Sequence, residues 1–372
     1  MHLRRFTYVV AAGAVACLAF AAPAQADSKN WHTTLSDFAL GPFNLAVNQN
    51  NVYVADGFTN TVGVVGQDPF AVGPDGGDVA GVDVTANGKT IAWTWSNGDH
   101  SATGLTIRTR GAADVVADLA GAESANPDLV NTYGVTGYGA GADDAKRACV
   151  DGIAEMLTGG PATYPGIVDS HPYSVSRVGT RWVVADAGSN VLWSVTDRGA
   201  VSTLSILPPQ PVTFTTEMTE ALAAEVGAPP EALACLAGAT YAFEPVPTDV
   251  EVAPDGSLWV SVLPGGPESP ALGARGAVYR VNPSTGSATR VADGFLGATN
   301  LAVASDGTVY VTELFGGKIS KIQGGAVSTA VTIERPVSVE VHGGYLYVGQ
   351  FADVDFETGE LKAPGSIVRL KR

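Results

Sequence analysis

The sequence is poor in the residue types and motifs that most often reveal enzyme chemistry. Its 372 residues include three cysteines, three methionines and five histidines. It contains no Gly-x-Ser-x-Gly, Gly-x-x-x-x-Gly-Lys or His-Glu-x-x-His motif. These absences remove the main sequence signals of α/β-hydrolases, P-loop nucleotide enzymes and zinc proteases.

Basic residues are also scarce. Lysine and arginine total 21 against 37 aspartates and glutamates, which gives a formal charge of −16 at pH 7. A surface with this charge repels phosphate groups, so we expect neither a nucleic acid nor an anionic membrane as partner. The apolar run at residues 8–22 is shorter than the ~20 residues of a spanning helix, and we expect no transmembrane segment.

The N-terminus has the pattern of a secretory signal peptide. Arg4 and Arg5 precede the apolar run, and the small-residue sequence Ala-Gln-Ala at 24–26 follows it. This order is typical of a signal that is cleaved after residue 26. We therefore expect residues 27–372 to form a secreted, extracellular protein.

Removal of residues 1–26 takes away Cys17 and leaves two cysteines, Cys149 and Cys235. In an oxidising compartment we expect them to form a disulfide; two buried free thiols are the alternative.

A repeated pattern runs along the rest of the chain: a short strand, a tight turn, then a strand ending in Tyr/Trp-Val-x-acid or a close variant. Each copy alternates apolar and polar residues, as paired antiparallel strands do. The copies are PFNLAVNQNNVYVAD from Pro42, AGVDVTANGKTIAWTWS from Ala80, HPYSVSRVGTRWVVAD from His171, PTDVEVAPDGSLWVSV from Pro247, ATNLAVASDGTVYVTE from Ala298 and PVSVEVHGGYLYVGQ from Pro336.

Two further strands follow most copies, and four strands per repeat indicate a β-propeller blade. We label the strands A to D from the channel outwards. The fold prediction is an all-β, six-bladed β-propeller in a single domain. The last repeat lacks a fourth strand, so we expect residues 33–38 to supply it and close the ring. An open β-solenoid is the competing architecture.

The long insertions all fall in connections that lie on one face of such a propeller. They are residues 121–170, 208–246, 263–275 and 351–364. Loops of this length in a compact fold are commonly functional. We expect short helices at 145–157 and 216–225, and an unknown small molecule, polymer or protein as partner at this loop-rich face.

The same geometry predicts a ring of oxygen-bearing side chains around the loop-rich end of the channel. Two interpretations stay open: the ring binds a hard cation such as calcium, or it satisfies water and neighbouring backbone amides. The ring comprises Asn44, Ser174, Asp249, Asn300 and Ser338 from strand A, Glu251 and Glu340 two residues further on, and Asp56, Asp186, Glu313 and Gln350 from the end of strand B.

His32, His100, His171 and His342 follow the predicted signal peptide. Of these, His171 lies at the head of the third repeat beside the channel, where it could act as a general base. A histidine that hydrogen-bonds a loop carbonyl is the alternative.

Taken together, the repeats and insertions resemble the ScyD/ScyE family of secreted bacterial propellers, which is related to the NHL-repeat propellers. The segments that carry this likeness are VDSHPYSV from Val168, YAFEPVPTDVEVAPDG from Tyr241, LPGGPESPALGARGAVYRVNPSTG from Leu263 and TNLAVASDGTVYVTELFGGKIS from Thr299. The resemblance implies an exported six-bladed propeller and implies no particular reaction.

Related gluconolactonase-type propellers bind a divalent cation in the channel through acids and an asparagine. By that analogy Asp249, Asn300 and Glu313 would bind a cation here, with Asn44 close by.

Two functions follow from these observations. The first is a binding or scaffold module that uses the loop-rich face. The second is a divalent-metal-dependent lactonase or ester hydrolase in the channel, with His171 or Asp249 as the proton acceptor.

Overall fold

The computed structural model describes residues 32–266, 270–355 and 358–372, and the predicted signal peptide lies outside them. Each of the six repeats forms one four-stranded antiparallel sheet. The elements of the first half of the chain come first, in chain order. The chain forms β1 (His32–Ala39), β2 (Pro42–Asn48), β3 (Asn51–Asp56), β4 (Thr61–Val64), β5 (Ala71–Val72), β6 (Asp78–Val84), β7 (Thr90–Ser96), β8 (Thr103–Thr109), β9 (Val115–Asp118), α1 (Leu119–Glu123), a 3₁₀ helix (Pro127–Val130), β10 (Thr132–Gly137), α2 (Asp144–Thr158), β11 (Thr163–Pro165), β12 (Pro172–Val178), β13 (Arg181–Asp186), β14 (Val191–Thr196) and β15 (Val201–Ile206).

The second half continues in the same manner. It forms β16 (Gln210–Thr213), α3 (Thr216–Glu225), two 3₁₀ helices (Pro230–Ala232 and Ala234–Leu236), β17 (Thr240–Phe243), β18 (Pro247–Val252), β19 (Leu258–Val262), a 3₁₀ helix (Pro270–Leu272), β20 (Gly276–Val281), β21 (Ala288–Phe295), β22 (Ala298–Val303), β23 (Val309–Glu313), β24 (Lys318–Gln323), β25 (Ala326–Thr332), β26 (Pro336–His342), β27 (Tyr345–Gln350), the hairpin β28 (Asp353–Asp355) and β29 (Glu360–Ala363), and β30 (Gly365–Lys371).

The predicted closure by the N-terminal strand is confirmed. The last sheet has the order β1-β30-β27-β26, and β1 pairs antiparallel with β30. The first strand of the described residues therefore completes the last blade. Backbone hydrogen bonds between β1 and β30 join the two ends of the described ring.

The six sheets are arranged in a closed ring. The innermost strand of each sheet contacts the innermost strand of the next, and β26 contacts β2. Six clusters of buried apolar side chains fill the six gaps between neighbouring sheets. Because ends that close on each other rule out an open solenoid, the all-β propeller prediction is confirmed.

The first two insertions form a separate cap. Their strands pair into one four-stranded sheet with the order β11-β10-β17-β16, so each insertion supplies two strands. Both predicted helices are present, as α2 and α3, and their apolar faces share a core with Phe214 and Phe243. The predicted disulfide between Cys149 and Cys235 joins the two insertions across 86 residues. In the described part of the chain, no helix is long and apolar enough to cross a membrane.

Side chains of strand A tie each blade to the next; five of them lie near the start of the strand, and Asp83 lies near its end. Each of the six junctions has a hydrogen bond in which such a side chain meets the neighbouring innermost strand. The bonds join Asn44 to the Val82 N–H, Asp83 to the Arg177 N–H, the Ser174 hydroxyl to Asp249, Asp249 to the Leu301 N–H, Asn300 to the Val339 N–H, and the Ser338 hydroxyl to the Pro42 carbonyl.

Removal of one such side chain should destabilise the whole ring. Asn300→Ala leaves the buried Val339 N–H without its 2.8 Å hydrogen bond, and we expect a loss of about 2 kcal/mol in the free energy of unfolding. Asn50→Ala, in an exposed turn, is the matched control and should change it by less than about 0.5 kcal/mol. Urea unfolding of both variants checks this, and equal stabilities would contradict it.

Candidate functional site

The acids at the ends of strand B bind the backbone that leads into strand A. Strand B is the second strand from the channel, and its terminal side chains point to the incoming connection. Asp56 accepts the N–H groups of Leu40 and Gly41, Asp186 accepts that of His171, Glu313 accepts that of Leu296, and the Gln350 amide donates to the Glu334 carbonyl. These four members of the predicted ring have a structural role in the entry to each blade.

The strand A members of the predicted ring do meet in the channel. Asp249 is fully buried and accepts hydrogen bonds from the Ser174 hydroxyl, from Asn44 Nδ2 at 3.4 Å and from the Leu301 N–H at 2.8 Å. Asn300 lies in the next blade and accepts the Val339 N–H. These bonds bring together side chains that the sequence predicted to lie around the channel.

The predicted metal ligands Asn44, Asp249, Asn300 and Glu313 are all hydrogen-bonded within the protein. Each of their side-chain oxygens already accepts a hydrogen bond, and Glu313 also lies 3.4 Å from Lys318 Nζ. No group of three His, Cys, Asp or Glu side chains among the described residues is arranged to hold a metal. The hydrogen-bonding interpretation accounts for all four.

Three further carboxylates form a second layer in the channel: Asp83, Glu251 and Glu340. Burial raises the pKa of Asp83 to about 6 and that of Glu340 to about 8. Burial, together with the charges of Glu340 and Asp249, also holds the pKa of Glu251 well above its usual range. Asp249 follows the same trend, with its pKa raised by burial to about 7.

Sequence reasoning left Asp83 without a role, because the second repeat is the most divergent. The structure aligns its Val-Asp-Val at 82–84 with Val-Glu-Val at 250–252 and 339–341, through equivalent pairings with strand B. This three-residue pattern is the sequence signal from which the position of Asp83 could have been predicted.

An unbroken series of six rings lies on the loop-rich face, and we call it the aromatic row. Phe43 and Tyr173 occupy the second position of strand A in the first and third blades, and their ring centroids are 5.3 Å apart. Phe58 and Phe351 extend the row at one end, each within 6.0 Å of Phe43.

Two histidines complete the other end of the aromatic row. The His171 ring lies 5.7 Å from Tyr173 and 4.5 Å from the ring of His100. His171 Nε2 is 2.9 Å from Asp78 Oδ2, and His100 Nδ1 is 2.8 Å from Asp169 Oδ1. Among the described residues, neither His171 Nδ1 nor His100 Nε2 has a hydrogen-bond partner.

The environment of His171 favours its protonated form. Burial acts to lower the pKa of His171, but the hydrogen bond and charge of Asp78, with the charges of Asp186 and Asp169, outweigh burial and raise it. His100 has a backbone φ of 56°, a left-handed conformation that is uncommon outside glycine. His171 was a candidate base from the sequence, whereas His100 was not, because its turn has no recognisable motif.

Comparison with known proteins supports the fold. A protein of unknown function from Bacteroides thetaiotaomicron superposes with a TM-score of 0.53 at 12% identity, over 91% of this chain and 75% of that one.

Two other solved structures are similar over nearly their whole length. A catalytically inactive virginiamycin B lyase from Staphylococcus aureus has a TM-score of 0.47 at 13% identity, with 92% and 98% of the two chains covered. A putative glucose dehydrogenase from Thermus thermophilus has a TM-score of 0.49 at 13% identity, with 91% and 99% covered. Similarity at this level shows the fold alone.

No protein-family model matches the chain, and no curated protein matches it. The resemblance to the ScyD/ScyE family therefore stays a prediction.

The channel carboxylates should make stability depend on pH. Their raised pKa values mean that the folded chain keeps protons that the unfolded chain releases above about pH 4, so stability should fall as pH rises from 5 to 8.5. Glu251→Gln combined with Glu340→Gln should reduce this fall by at least about 2 kcal/mol.

Unfolding free energies measured across this pH range check the prediction. Glu220→Gln combined with Glu231→Gln, on the exposed surface of the cap, is the charge-matched control and should leave the pH dependence unchanged. The same pH dependence in the channel variant and the wild type would contradict the prediction.

Proposed function

We propose that this protein is a binding module that recognises a ligand through the aromatic row. The main support for this proposal is that side chains from the first, second, third and sixth blades form one continuous series of rings. Rings that serve only as core are buried between blades, as Trp182 and Trp193 are. Phe58 is 46% exposed, so the row presents an apolar surface to solvent.

The chemistry of the row indicates the class of ligand. Phenyl and phenol faces at one end suit the flat face of a sugar or an aromatic ring. Imidazole nitrogens at the other end suit a hydroxyl or amine. Because the chain carries a formal charge of −16, we propose a neutral or cationic ring-bearing molecule, or one unit of a polymer of such rings.

We further propose that the protein works outside the cytoplasm as an exported ScyD/ScyE-like propeller. The disulfide between Cys149 and Cys235 supports this proposal, since such bonds persist mainly in oxidising compartments. The signal-peptide pattern at residues 1–26 supports it independently.

Two equivalent phenylalanines allow a matched test of the binding proposal. Phe58 and Phe315 occupy corresponding turns after strand B in the first and fifth blades and are 46% and 44% exposed. Of the two, Phe58 belongs to the aromatic row. Phe58→Ser should therefore weaken ligand binding at least tenfold, and Phe315→Ser should not.

Saturation-transfer NMR with two probe sets, methyl glycosides and aromatic amines, measures the effect. We expect at least one set to bind the wild type and the Phe315→Ser variant. Equal binding by both variants, or no binding by the wild type, would reject the aromatic row as the site.

The two His–Asp pairs favour a second candidate function, acid–base catalysis on the bound ligand. A carboxylate on one ring nitrogen orients an imidazole and leaves the other nitrogen for proton transfer. His171 and His100 both have this arrangement, beside the surface that would hold a substrate. Hydrolysis of an ester or lactone needs only such a base and a water molecule.

Hydrolysis of p-nitrophenyl acetate and of a sugar lactone tests this candidate. His171→Asn should lower the rate at least a hundredfold, because the proton acceptor is lost. The wild-type rate should rise with pH through the raised pKa of His171, since the neutral imidazole is the base. His342→Asn is the control, because His342 is the last residue of β26 and lies at the end of that strand away from the loop-rich face. A rate unaffected by His171→Asn would remove this candidate.

The metal-dependent lactonase predicted from the sequence receives less support. Its proposed ligands, Asn44, Asp249, Asn300 and Glu313, have hydrogen bonds that join blades or hold connections. We therefore derive no catalytic step from a channel cation.

A further inference from the structure

A short segment of the first insertion contains several buried oxygen atoms without hydrogen bonds. Both carboxylate oxygens of Glu123, Oδ1 of Asn126 and Oδ1 of Asp128 are buried and have no hydrogen-bond partner. Glu123 has no exposed surface and Asp128 has 1%. The segment therefore places four unsatisfied oxygens within six consecutive residues, Glu-Ser-Ala-Asn-Pro-Asp.

Other atoms of the same segment are well anchored. Asp128 Oδ2 accepts hydrogen bonds from the hydroxyl of Tyr133 and from Nδ2 of Asn190, each at 3.1 Å. Asn126 Nδ2 donates to the Gly166 carbonyl at 3.0 Å, and its backbone has a φ of 48°. These bonds hold the segment in one conformation. Oδ1 of Asn126 and Oδ1 of Asp128 nevertheless receive no hydrogen bond.

The surroundings of this segment are negative and contain no compensating base. Glu123 lies within electrostatic range of Asp128, Asp169 and Asp186, and Asn190 also bonds Glu244 at 3.3 Å. In the described chain, no lysine or arginine forms an ion pair with Glu123, Asp128, Asp186 or Glu244.

Buried carboxylate oxygens without donors are costly, and a bound cation removes the cost. We propose that Glu123, Asn126 and Asp128 bind a divalent cation of the hard class, with calcium the best fit. All the available ligands are oxygens, and calcium accepts carboxylates, amide carbonyls and hydroxyls in flexible geometry. Ser189 precedes Asn190, which donates to Asp128, and its buried hydroxyl also has no hydrogen-bond partner.

The proposed ligand set consists of two carboxylates, one amide and one hydroxyl. Water would complete the coordination, as it does in many calcium sites.

A cation here would fasten the first insertion to the third blade. The neighbouring Asp169 side chain bonds His100, and Ser170 and His171 are bonded to Asp186. The proposal concerns a structural ion and does not depend on any ligand or activity at the aromatic row.

The test measures calcium binding by a protein that comprises residues 27–372. Bound metal is first removed with EDTA. Titration calorimetry and elemental analysis should show one calcium per chain. Glu123→Gln and Asp128→Asn should each raise Kd at least tenfold, because each removes one of the two carboxylates. Glu251→Gln, a channel carboxylate of equal charge, should bind calcium as the wild type does.

Circular dichroism of each variant without calcium separates lost binding from lost folding. If one of the two variants does not fold, the Kd of the other one tests the proposal. Terbium luminescence provides a second measurement, since Tyr133 bonds Asp128 directly and can sensitise an ion there. No calcium binding by the wild type at 1 mM, or loss of binding in Glu251→Gln with retention in Glu123→Gln, would overturn the proposal.

Discussion

The ring of hydrogen bonds between neighbouring innermost strands is the constraint on which this structure depends. Apolar clusters fill the gaps between blades, but apolar contact is non-directional and does not fix how far one sheet slides along the next. A side chain such as Asn300 bonds one particular N–H of the adjacent strand, Val339. Six bonds of this kind set the register of each blade, and the β1–β30 pairing closes the circle.

This constraint explains why a polar channel need not be an active site. Propeller channels are lined by the starts of strand A, so oxygen-bearing residues must be there to reach the next strand. Asp249 accepts hydrogen bonds from residues on three other blades, which is a structural role that needs no ion. The chemistry that is open to ligands lies at the rim of the loop-rich face, where Tyr173 and His171 meet rings from other blades.

The two halves of the cap show the same division between sequence and structure. The spacing of apolar residues was enough to predict α2 and α3, because a helix face is a local property. The cap sheet was not predicted, since its strands have only three to six residues, and the pairing of β10 with β17 joins residues 103 to 108 positions apart, which leaves no periodic signal. The disulfide prediction succeeded because cleavage at the predicted signal-peptide site would leave two cysteines, so that Cys149 has one possible partner.

The sequence by itself determined the blade pattern, the closing strand, the face that carries the insertions and the polar character of the channel. These are consequences of alternation, turn residues and connection length, which are read along the chain. Tertiary structure decided what the polar residues do. Phe58, His100 and Glu123 acquire their roles from neighbours on other blades or from burial beneath the cap, and distances between segments far apart in the chain have no local signature.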